Sequence, residues 1–147
     1  MTDTRKLEIS LLTMRLSIGV FFLVWAIQKT VAPEMAQRVF ETFYFSSPSP
    51  TYLIITGLAQ LAIVIAFMAG LFRTWTGGAL LAMHTISLLS TYERLANPYE
   101  SPNALFWAAV PVWAAILTLF LLRKSDRLLS LDAYLAARRK GGAAERA

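Results

Sequence analysis

LLTMRLSIGVFFLVWAIQKTV, residues 11–31, is the stretch on which the fold turns. Between Arg15 and Lys29 it carries no ionised side chain. A helix needs about 20 apolar residues to cross a bilayer core, and this run supplies them. Working outward, three more apolar segments follow, at about residues 52–71, 74–92 and 104–122. The third holds 19 residues without an ionised group, His84 counted neutral. In lipid only helices and closed barrels satisfy every backbone polar group, and long unbroken runs of this kind predict helices.

Composition points the same way. Of 147 residues, 56% are hydrophobic and 16% charged, with four Trp, nine Phe and five Tyr, and the mean hydropathy is +0.53. An ordinary soluble domain is roughly 25% charged, and one of this size leaves too much surface wet to hide so much apolar area. A soluble enzyme, a nucleic-acid-binding domain and a disordered chain are excluded on that ground. The absence of cysteine excludes a disulfide framework, a thiol nucleophile, a CxxC centre and Cys-ligated metals. A single His builds no multi-histidine haem or metal site. The sequence therefore predicts no intrinsic cofactor and no nucleic-acid partner.

The expected fold is an all-α integral membrane protein: a four-transmembrane-helix antiparallel bundle, one domain over residues 1–135. The first segment reads as a retained helix and not as a signal peptide, because Arg15 interrupts it and no small-x-small cleavage site follows. With four spans both termini share a side. That side collects Arg5, Lys6, Arg73, Arg123, Lys124, Arg127 and the basic residues beyond 137, against Lys29, Arg38 and Arg94 opposite. Basic residues gather in the cytoplasm, so the reading is an inner-membrane protein of a prokaryote with cytoplasmic termini. PEMAQRVFETFYF, from Pro33, predicts an outer interfacial helix with Phe40, Phe43 and Tyr44 at helical spacing. Residues 93–102, with two prolines, predict an irregular loop. Residues 126–139, opening on a Ser or Asp cap, predict an amphipathic helix on the inner leaflet beside anionic headgroups; residues 140–147 read as a frayed tail. Pro111 predicts a kink in the fourth span. No internal repeat of a duplicated transporter is visible.

Polar residues inside the membrane are the default functional candidates. Arg15, Gly19, Phe22, Ala26 and Lys29 are spaced 4, 3, 4, 3 and share one helix face, on which Gly19 and Ala26 admit a close neighbour. Arg15 and Lys29 lie about 21 Å apart along the axis, less than the roughly 30 Å of hydrocarbon, so one of them sits below the surface. Arg15 either points into the bundle or snorkels to the inner headgroups. Lys29 reads as interfacial, near Glu34 or Glu93. Gln60 and His84 fall at similar depth on successive segments and are expected to meet if those helices pack together. Plain interhelical hydrogen bonding, about 0.6 kcal/mol per bond, is the first reading, since one His and one Gln make no catalytic constellation by themselves; the functional reading is a quinone or proton site. Glu93 and Arg94 read as a solvated rim.

Three stretches, in this order and spacing, resemble the DoxX/DoxX-like family of small four-helix bacterial and archaeal membrane proteins. The first-helix pattern R-x3-G-x2-F-x3-G-x2-K is met by Arg15, Gly19, Phe22, Ala26 and Lys29, with Ala26 for the usual glycine. A G-x-x-E pattern followed by G-L-x-[TR] is met by Gly57 and Gln60, then Gly70, Leu71 and Arg73, with Gln60 for the commoner acid. The S-L-D end of GPGxxSLD is met by Ser130, Leu131 and Asp132, without the family's glycine-proline-glycine before it. The resemblance implies a four-helix bundle and no single activity, since its members serve quinone-linked oxidoreductases, redox-stress complexes or no assigned role.

The resulting expectation is an accessory membrane subunit of a redox or respiratory complex. Arg15, Gln60 and His84 would contact a quinone or lipid headgroup, and a partner protein would carry the redox chemistry. The alternatives are a scaffold or assembly protein without a site, alone or as a homo-oligomer among membrane lipids, or a small-molecule carrier. No nucleophile–base pair supports an autonomous enzyme.

Overall fold

The computed structural model describes residues 1–144, with side chains through Arg139. The described residues are helical and contain no strand. Among the described residues, three helical stretches are long and apolar enough to cross a membrane: Asp3–Val31, Pro50–Met68 and Asn103–Leu121.

Helix α1 (Asp3–Val31) begins eight residues before the apolar run. Its first turns are held by charge pairs three residues apart, Lys6 to Asp3 at 2.9 Å and Arg5 to Glu8 at 3.5 Å, while Thr2 Oγ1 accepts the Arg5 amide. Hydropathy locates an apolar span and is blind to a helix that continues in charged residues. At 1.5 Å per residue α1 is about 43 Å long, more than the hydrocarbon layer needs. Helix α2 (Pro33–Phe43) is the expected short helix after the first span and starts on a proline, whose missing N–H costs nothing there. Helix α3 (Pro50–Met68) starts the same way, with Ser49 Oγ accepting from the Tyr52 amide at 3.3 Å.

The third apolar segment forms α4 (Arg73–Ser90). Thr74, Thr76, Gly77, Gly78, His84, Thr85, Ser87 and Ser90 make it more polar than the membrane-length windows of the other three stretches. Residues 93–102 are not wholly irregular. A short helix, α5 (Tyr92–Ala96), comes first, and Asn97 and Asn103 close the turn by donating to Glu93 O and Asn97 O. The fourth segment opens as a 3-10 helix over Asn103–Ala108 and becomes α6 (Ala109–Leu121). Pro111 thus lies in the first α-helical turn and does not interrupt an established α-helix, so the expected kink is replaced by a change of helix type. Helix α7 (Leu131–Ala144) starts five residues later than the sequence suggested. Asp126 is committed to a tertiary bond, and Ser130 instead caps α7, its Oγ accepting from the Ala133 amide at 3.4 Å. Residues 140–144, expected to fray, continue α7; 145–147 lie outside the described residues.

Leu11, Ile18, Phe22, Val64, Phe67, Leu80, Ile116 and Leu119 form the core, drawn from α1, α3, α4 and α6. The pairing of α1 with α3 is the most extensive. Gly57 permits it, since a Cβ there would lie 2.8 Å from Lys29 Cβ and 3.2 Å from Ala26 O. Val20, Val24, Ile55, Ile65 and Leu121 stay exposed, an apolar exterior that suits lipid.

Candidate functional site

The face of α1 expected to point inward does so. Arg15, Gly19, Phe22 and Ala26 are buried. Arg15 is 1% exposed, which decides between its two readings: it enters the bundle and does not snorkel. Its Nη1 donates to Asp126 Oδ2 at 2.7 Å. Its Nη2 donates to Leu128 O at 2.9 Å and Leu129 O at 3.0 Å. Leu129 takes the left-handed conformation, φ 49°, which costs a side-chain-bearing residue about 1–2 kcal/mol. Its side chain is thrown outward, 76% exposed, while its carbonyl faces Arg15.

A second ionic contact lies beside the first. Asp132, the second residue of α7, accepts from the Phe72 and Arg73 amides at 3.0 Å each and from Arg73 Nε at 3.4 Å. Those amides open α4 and have no partner within that helix, so a carboxylate there also meets the positive end of the helix dipole. Burial raises the Asp132 pKa, but the two amides and the Arg73 charge outweigh it and hold the carboxyl below its ordinary value of 3.8. Arg73 Nη1 donates to Arg123 O at 2.8 Å and also to Asp126 O. The α3–α4 turn is stitched to the start of α7 by Leu131 N to Ala69 O, Asp132 N to Gly70 O and Ser130 Oγ to Gly70 O. Gly70 is required, with φ 66° and a Cβ position 2.9 Å from Ser130 Cα.

Gln60 and His84 have separate partners. Lys29 Nζ donates to Gln60 Oε1 at 2.7 Å and stands 5.9 Å from the centre of the Phe40 ring. Lys29 therefore engages α3 and not Glu34 or Glu93. His84 Nε2 lies 2.9 Å from Ala109 O. A carbonyl only accepts, so Nε2 carries the proton and, in the neutral ring, Nδ1 is an acceptor. Phe21 and Phe22 present edge-to-face contacts to the imidazole at 5.7 and 6.0 Å. One turn along, Trp113 Nε1 donates to Thr85 Oγ1 at 2.9 Å, a second tie between α4 and α6. At the rim, Glu93 accepts from the Tyr92 hydroxyl and Arg94 reaches Asn103.

Sequence reasoning missed Asp126 as the partner of Arg15, and missed Arg73, Ser130 and Asp132 as a joint. Ser130 and Asp132 did carry a signal, since both lie in the S-L-D stretch that resembles a family motif. No group of three metal-ligating side chains occurs among the described residues. No protein family, characterised protein or solved structure matches the chain.

Proposed function

We propose that the chain is a non-catalytic membrane subunit, a DoxX-like antiparallel four-helix scaffold that serves a larger membrane redox assembly. The observation that carries this reading is where the intramembrane polar groups go. Arg15 binds Asp126, Gln60 binds Lys29 and His84 binds Ala109 O, so each one ties together helices or turns of this chain. The exterior is left apolar, suited to lipid and to a partner's helices. Antiparallel packing is supported by the α1–α3 contacts: Gly19 faces Met68 while Gly57 faces Lys29. The basic residue asymmetry supports cytoplasmic termini in a prokaryotic inner membrane. The redox placement rests on the family resemblance.

A quinone-contacting variant of this reading draws on His84 alone. With Nε2–H given to Ala109 O, Nδ1 is the nitrogen that would accept from a quinol hydroxyl.

Native mass spectrometry on protein gently extracted from its own membranes tests the proposal. Co-purifying flavin, haem or iron–sulfur subunits are the expected result. A lone chain or homo-oligomer carrying only phospholipid overturns the accessory reading. Within an isolated complex, His84→Leu lowers quinol turnover if the imidazole contacts the ring; unchanged turnover rejects that contact.

A further inference from the structure

Two buried polar atoms at the Arg15–Asp126 pair, Arg15 Nε and Asp126 Oδ1, have no hydrogen-bond partner among the described residues. One is a donor and the other an acceptor. Leaving such groups buried and unpaired costs about 1–3 kcal/mol each, more when charged. Both residues line a cavity of about 10 Å³, together with Phe67, Arg73, Gly77 and Arg123. Room of that size admits about one water.

From this geometry we infer that the cavity is a binding site for a single water molecule, which accepts from Arg15 Nε–H and donates to Asp126 Oδ1. Three arginines on one small cavity invite the opposite assignment, a bound anion. Two of the three charges are already balanced by carboxylates, Arg15 by Asp126 and Arg73 by Asp132. Arg123 is turned to Thr74 Oγ1 and Phe120 O, with its guanidinium 4.5 Å from the Phe120 ring centre. A halide would also leave Asp126 Oδ1 unsatisfied, since it has no proton to donate, and would stand beside a carboxylate. Only a ligand that both donates and accepts completes the pair, and at this volume that ligand is water. The water then belongs to the joint between α1 and the turn before α7, and makes the ion pair fully hydrogen-bonded.

The test is a crystal structure of the full chain grown from a lipid mesophase and soaked in bromide. The expected result is one peak within about 3.2 Å of both Arg15 Nε and Asp126 Oδ1, without anomalous signal at the bromine edge. An anomalous bromide peak there overturns the water assignment in favour of an anion. No peak, with the two atoms paired to other protein groups, overturns the site altogether. Melting in detergent gives an independent reading. Exchanging gluconate for chloride at constant ionic strength shifts the wild-type melting temperature by less than about 1 °C if water fills the site. A chloride site filled at ten times its Kd raises it by roughly 3–6 °C.

Discussion

Arg15 keeps a guanidinium at 1% exposure, and the carboxylate that makes this tenable lies 111 residues away in the chain. The helix face that points Arg15 inward is readable from the 4, 3, 4, 3 spacing, because a helix's period is a local property. The partner is not readable, because nothing local distinguishes Asp126 from a surface cap. The same limit applies to Gln60 and His84. Their depth was inferable from position along the span, but their partners depend on how helices rotate against one another, and that set Lys29 and Ala109 O before them. A buried ion pair need not raise stability over an apolar pair, yet breaking one half of it is costly, about 3–5 kcal/mol. Arg15→Met is therefore expected to lower the melting temperature in detergent by on the order of 10 °C, whereas Arg15→Met combined with Asp126→Leu recovers most of that loss. A double-variant loss equal to the sum of the losses in Arg15→Met and Asp126→Leu alone would mean that the two side chains are not energetically coupled.

The α3–α4 turn and the start of α7 behave as one joint. Asp132 supplies the amide acceptors that α4 lacks at its own beginning, and Ser130 and Leu131 hold the turn's carbonyls. The sequence showed a helix after the fourth span but started it five residues early, since Ser125 and Asp126 look as good a cap as Ser130 does. Tertiary demand for Asp126 settled the matter. Because Asp132 has a lowered pKa when folded, its contribution to stability is fully present above the ordinary carboxyl value of 3.8 and is lost as pH falls through the depressed folded value. Wild type is thus expected to melt above Asp132→Asn at pH 6–7, with the gap closing as pH is taken below about 4. A gap that is constant with pH would show that the carboxylate's charge plays no part in the joint.

At the scale of the whole molecule, the apolar segments were legible as helices, and three helical stretches meet the demands of a membrane crossing on length and hydropathy. The remaining one, α4, carries its hydroxyls, glycines and His84 on a helix that packs against α3 and α6, where Thr85 and His84 take partners from the fourth segment. Polarity that serves such ties lowers hydropathy without removing a helix from the bilayer, so we expect α4 to cross as well. The chain contains no cysteine, so single cysteines at exposed Thr4, Ser46, Tyr99 and Lys124 give an unambiguous topology with a membrane-impermeant maleimide. Four crossings place Ser46→Cys and Tyr99→Cys on one side, labelled together in right-side-out vesicles, while Thr4→Cys and Lys124→Cys react only after permeabilisation. Three crossings, with α4 lying outside the bilayer, group the sites differently. Ser46→Cys would then label with Lys124→Cys, and Thr4→Cys with Tyr99→Cys. That second pattern would overturn the four-helix bundle and, with it, the cytoplasmic placement of both termini.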